Sequence, residues 1–196
     1  MTKKEQNYYA KIKSDLIGQK IKRVFYDELH YATDDHFWEH SDSIHSVDMN
    51  ILLEFENGKI CQIKWDDTFY CYGIGFTILS DLEENKQLKT IEVTHHKNWS
   101  GIIDSELTKI TVFWDESNDF QHTNKEMAGM TNNTIRLPLT WQMEFDKQQL
   151  WISALEIQEN GYTSYWADHL TVFFNKEQLE KYNNPIQKDS EPYTVS

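Results

Sequence analysis

The chain has 196 residues, 39% of them hydrophobic, enough for one globular domain and too few for a large multidomain enzyme. Its 7 glycines and 3 prolines exclude a collagenous or linker-rich protein. Lys and Arg number 19 against 32 Asp and Glu, leaving a net charge of -13; such a surface repels nucleic-acid backbones and anionic lipid, so neither is an expected partner.

Thr2 and Glu5 have the spacing of a capping box, and Tyr9, Ile12 and Leu16 then fall on one face before Gly18, which suits a left-handed cap. This predicts a helix over about 3–17. No apolar run follows Lys3-Lys4, and no stretch approaches the length of a membrane span, so a secretory leader and a transmembrane segment are not expected. Cys61 and Cys71 are too few for a disulfide framework and lack metal-site spacing, so a reduced, cytoplasmic protein is expected. Residues 20–26 are β-branched and aromatic enough for a strand. Residues 27–48 show no sustained periodicity and read as a long loop, the kind of segment in which function concentrates.

The clearest pattern runs from Met49 to Asp66. A three-residue turn with Gly58 in the left-handed position pairs Phe55 with Lys59, Leu53 with Cys61, Ile51 with Ile63 and Met49 with Trp65. One face then becomes apolar, and the other carries Asn50, Glu54, Glu56, Gln62, Lys64 and Asp66, with Leu52 and Ile60 as exceptions. A related order recurs downstream. Leu139, Trp141, Met143 and Phe145 correspond to Met49, Ile51, Leu53 and Phe55, while Trp151, Ser153 and Leu155 correspond to Cys61, Ile63 and Trp65. Gln148, however, stands where Gly58 stands in the first copy. Each unit is expected to close with a strand and a short helix, 76–79 then 81–88, and 170–174 then 176–182.

These readings give a β-rich α+β fold. It comprises an N-terminal helix and two related antiparallel units, each a strand, a long loop, a hairpin, a strand and a short helix. The units span 16–88 and 102–183 within one domain of residues 1–183, and 184–196 form a flexible tail.

Residues 27–48 hold Asp27, Glu28, Asp34, Asp35, Glu39, Asp42 and Asp48 with His30, His36, His40 and His45, and no Lys or Arg. Dense acids steer a basic partner while a few aromatic anchors supply affinity. The leading expectation is therefore a non-enzymatic binding module for a basic protein, of inhibitor or immunity type, using Asp34, Asp35, Trp38, Glu39 and Asp42. Acidic antidotes to basic nuclease toxins share this composition and no more. No cofactor or metal is expected on that reading.

An alternative lies in His36-Phe37-Trp38-Glu39-His40, which spells HxxEH. On a helix His36 and His40 would face one metal ion, with Glu39 placed to polarise a bound water in a hydrolase. His95-His96 reads as a surface turn, because neighbouring side chains on an extended chain point apart. A third possibility is a small-ligand site among aromatics and acids, around Trp65-Asp66-Asp67 with Phe69, Tyr70 and Tyr72, or around Tyr162, Tyr165 and Trp166 with Asp168 and His169. Core packing is the competing explanation for those rings.

Overall fold

Helix α1 (Lys3–Asp15) starts at its predicted cap: the Thr2 hydroxyl accepts the Glu5 N–H at 3.2 Å, and the Glu5 carboxylate accepts the Thr2 N–H at 2.7 Å. The helix stops two residues short of the expected end, and Gly18 takes a φ of +82° in the turn that follows. The computed structural model describes residues 1–29, 36–69, 72–82, 85–119, 133–146, 148–165, 167–183 and 192–196.

The strands are β1 (Ile21–Leu29), β2 (Trp38–Ser41), β3 (Ile44–Val47), β4 (Asn50–Phe55), β5 (Ile60–Asp66), β6 (Gly73–Leu79), β7 (Leu88–Glu92), β8 (Leu107–Asp119), β9 (Asn133–Phe145), β10 (Gln148–Ser153), β11 (Leu155–Ile157), β12 (Thr163–Tyr165), β13 (Leu170–Phe173) and β14 (Tyr193–Val195). A short helix, α2 (Lys176–Tyr182), follows β13 with Asn175 as its cap. One sheet has the order β6-β5-β4-β1-β7, a second β14-β8-β9-β10-β13-β3-β2, and β11 pairs with β12 in a separate ribbon. The fold is β-rich α+β, as the patterning predicts.

One apolar core joins the elements: Ile51, Leu53 and Ile63 of the first sheet share it with Trp141, Met143 and Leu150 of the second and with Tyr8, Tyr9 and Ile12 of α1. Large indoles enter this core because each finds a hydroxyl for its N–H. Trp141 Nε1 donates to the Tyr8 hydroxyl at 2.8 Å, Trp114 Nε1 to Tyr9 at 2.5 Å and Trp99 Nε1 to Tyr26 at 2.7 Å.

The first hairpin has the predicted register, Ile51 opposite Ile63 and Leu53 opposite Cys61, with Gly58 at φ +80° in the turn. Trp65 is half-buried, and the exceptional Leu52 and Ile60 form a small cluster with Phe25 on the reverse face. The second hairpin departs from the first by one residue. Phe145 pairs directly with Gln148, so Met143 faces Leu150 and Trp141 faces Ile152. A one-residue slip reverses every side chain. Leu150 and Ile152 therefore enter the main core, whereas Trp151 turns to the opposite face and packs with Ile44, Leu155 and Phe173.

Three further expectations are corrected. Most of the described residues in 27–48 are strand: β1 runs to Leu29, and β2 and β3 form a hairpin on the edge of the second sheet, where β3 pairs with β13. The expected helix over 81–88 does not form, because Gln87 lies in a turn and Leu88 opens β7, which pairs with β1. The tail ends in β14, whose Val195 is buried opposite Ile110 while Tyr193 stacks on Tyr9 at 3.9 Å between centroids.

Candidate functional site

Where β1, β3, the β11–β12 ribbon and the turn before β13 converge, a cleft of about 950 Å³ opens. Five of its lining residues are acids (Glu28, Asp48, Glu156, Glu159 and Asp168), set against Lys89 and the imidazoles of His36 and His169. Trp38 stands on its border, 52% exposed.

Glu28 is the unusual member. Its residue is only 8% exposed, Oε2 accepts the Asp48 N–H at 3.3 Å, and the buried Oε1 has no hydrogen-bond partner. Burial, and next to it the charge of Asp48, push its pKa up to about 8. Asp27, next in sequence but on the other face of β1, contrasts with it. Its two oxygens accept from Asn50 Nδ2 at 2.8 Å and the Thr90 hydroxyl at 2.6 Å.

Ser46 and His169 meet at 2.5 Å between Oγ and Nε2, and His169 Nδ1 lies 3.7 Å from Asp48 Oδ1. Burial lowers the pKa of His169 against the opposing pull of Asp48, Glu156 and Asp168, and the ring shares a hydrogen bond with the Ser46 hydroxyl whose direction follows the tautomer. The order of groups is that of a nucleophilic triad, but the carboxylate stands beyond hydrogen-bond reach of the ring. Ser46 also sits in mid-strand, opposite Trp38 in β2 and Thr171 in β13, without the sharp turn that presents a nucleophile. The contact orients the imidazole toward the cleft.

The residues singled out by sequence separate. Asp34 and Asp35 lie outside the described residues. Trp38 and His36 reach the cleft, whereas Asp42 is exposed and pairs with Lys97 at 3.1 Å. The HxxEH segment is not helical: Trp38, Glu39 and His40 belong to β2. Without the helical turn the two imidazoles diverge, His36 lining the cleft and His40 turning away from it. His40 instead approaches the Tyr182 hydroxyl at 3.4 Å.

Glu39 finds different partners. Cross-strand pairing sets it beside His45, and its Oε1 lies 2.5 Å from His96 Nε2; donor atoms of Glu39, His45 and His96 all lie within 4.8 Å of one another. His96 lies in the turn that the sequence predicts. The Asn98 N–H folding back onto His96 Nδ1 at 3.3 Å aims the ring at Glu39. Cys61 is a buried thiol, with its pKa raised by burial, and takes the role of a small core side chain. Of the described aromatic and acidic groups considered from sequence, only Asp168 and His169 line the cleft, and Tyr162 and Tyr165 are exposed; Tyr70 and Trp166 lie outside the described residues.

No helix among the described residues is long and apolar enough to cross a membrane. No family model, curated protein or solved structure matches the chain.

Proposed function

We propose that the protein is a non-enzymatic binding module whose acidic cleft receives an arginine or lysine side chain of a basic protein partner. The observation that carries this reading is Glu28, a buried carboxylate with one unpaired oxygen, in a cleft with four further acids. Ionising a buried carboxyl with one oxygen unpaired is costly, and a guanidinium would supply both an opposite charge and the missing hydrogen bond. Trp38 on the border offers an aromatic face for the same cation. The net charge of -13 adds long-range steering.

We take the protein to act in the cytoplasm, where Cys61 stays reduced. The two-unit architecture belongs to the same proposal. The shared antiparallel order β7-β1-β4-β5-β6 and β14-β8-β9-β10-β13 supports descent from one duplicated unit.

The test compares an arginine-rich peptide with its citrulline counterpart, which keeps the shape and loses the charge, using calorimetry and Trp38 fluorescence. The arginine peptide should bind, more weakly as salt is added, and Glu28→Gln should weaken it. Binding should also take up fewer protons than it releases below pH 8, because a cation favours ionised Glu28. Equal binding of the two peptides, or no binding of either, would overturn the proposal.

A further inference from the structure

Glu39, His45 and His96 come from three separate places, the edge strand β2, the strand β3 and the turn following Val93, and none of them lines the acidic cleft. We infer that they form a binding site for a divalent transition-metal ion of the zinc class, with Nε2 of both histidines and a Glu39 oxygen as ligands.

The donor set is two imidazoles and one carboxylate, which suits zinc and its borderline neighbours and does not suit calcium or magnesium. The second shell is already in place. Asn98 Nδ2 donates to His45 Nε2 at 3.1 Å, which assigns the ring proton to Nδ1, where the Tyr26 hydroxyl oxygen accepts it at 2.8 Å. The same oxygen takes the Trp99 indole N–H at 2.7 Å. A fixed Nδ1–H contact of this kind is how proteins orient a metal-binding imidazole and leave its Nε2 lone pair available. The His45 ring is fully buried, so its Nε2 edge can be reached only from the side on which Glu39 and His96 stand.

An ion pair between Glu39 and His96 would need only those two groups. It leaves unexplained why a wholly buried imidazole stands 4.5 Å from a second one, ring centroid to ring centroid, with Phe37 packed against both. Ligand atoms around a tetrahedral zinc are spaced about 3.4 Å apart. The present span of up to 4.8 Å closes by rotation of Glu39, whose side chain is 41% exposed, and of His96. On loading, the ion takes the place of the Asn98 amide at His45 Nε2 and of the proton on His96 Nε2; rotation of His96 frees its Nδ1 from the Asn98 N–H, and the ring proton passes through solvent to Nδ1, so that both rings ligate as neutral imidazoles. Three protein ligands keep a fourth position for water. The ion would tie the exposed edge of the second sheet to the turn after β7.

The experiment titrates the full-length apoprotein with zinc chloride by calorimetry, measures metal by atomic emission after gel filtration, and follows the melting temperature. Wild type should take one equivalent with micromolar affinity or better and melt at a higher temperature when loaded. Glu39→Gln and His96→Ala, both near the surface, should each weaken binding by more than about a hundredfold, beyond the loss of an outer-shell partner. The His36→Ala/His40→Ala double variant should bind as wild type does. Circular dichroism establishes that each variant is folded. Cobalt substitution adds a direct readout, since a four-coordinate site gives an intense visible band that His96→Ala should lose. No stoichiometric zinc in wild type, zinc retained by both single variants, or zinc lost only in the double variant would each overturn the inference.

Discussion

Replacing Glu28 by Gln tests the physical state of the cleft directly. The side chain is nearly isosteric with protonated glutamic acid, and its carbonyl can still accept the Asp48 N–H that Oε2 accepts now. The folded protein holds Glu28 at a pKa of about 8 against an ordinary value of 4.5. Below pH 4.5 the group is protonated whether the chain is folded or not, and it contributes no pH dependence. Between the two values only the unfolded chain has released the proton, so stability falls as pH rises; above about 8 both states are ionised and the penalty is constant. At about 1.36 kcal/mol per unit, wild type loses on the order of 3 kcal/mol from this group between pH 4.5 and 7, and on the order of 5 kcal/mol above pH 8. Glu28→Gln lacks the titrating group. Urea denaturation at pH 5, 6, 7 and 8 should show the variant gaining on wild type by roughly 1 kcal/mol or more per unit. A stability difference that does not change with pH would refute the reasoning, and so would a variant less stable than wild type at pH 8. On the proposed reading, the stability that ionised Glu28 costs is exchanged for cation binding.

Rim and centre of the cleft should separate kinetically: Glu156→Gln/Glu159→Gln/Asp168→Asn should slow association of the arginine peptide and flatten its salt dependence, whereas Glu28→Gln should mainly speed dissociation. Stopped-flow fluorescence resolves the two, and equal effects on both rates would contradict the assignment. Tyr8→Phe leaves the buried Trp141 N–H without its acceptor and should cost about 1–3 kcal/mol in urea denaturation, whereas a loss under about 0.5 kcal/mol would show that the pairing contributes little. Deleting residues 192–196 uncovers β8 and unstacks Tyr193 from Tyr9, and should lower the melting temperature by several degrees; an unchanged transition would mean that β14 adds nothing to the sheet.

The parts of the fold legible in the sequence are those whose geometry is fixed locally. Thr2 and Glu5 cap α1 within one turn, and Gly58 dictates the register of the first hairpin because only a left-handed residue makes that three-residue turn. In the second hairpin Gln148 replaces the glycine, the turn tightens, and the register slips by one residue; the departure is visible in the sequence, but its direction depends on which indole the core accepts. The elements missed are those held by distant partners. Strand β3 is buried at all four positions, so it has no period-2 signature, and it pairs with β13 far along the chain. The exposed edge strand β2 shows no alternation either. Those two strands carry Trp38, Glu39, His45 and Ser46 of the two proposed sites, so the acidic and histidine-rich composition draws attention to the segment while spacing along the chain suggests a different pairing. Glu39 is legible, but spacing along the chain offers His36 and His40, as if the segment were helical. A strand instead sets Glu39 beside its cross-strand neighbour His45, and a turn from the opposite side brings in His96. The same logic governs the cleft. Glu28, Asp48 and His169 are unremarkable as separate letters, and they acquire a raised pKa, an unpaired oxygen and a fixed ring only where β1, β3 and β13 end together.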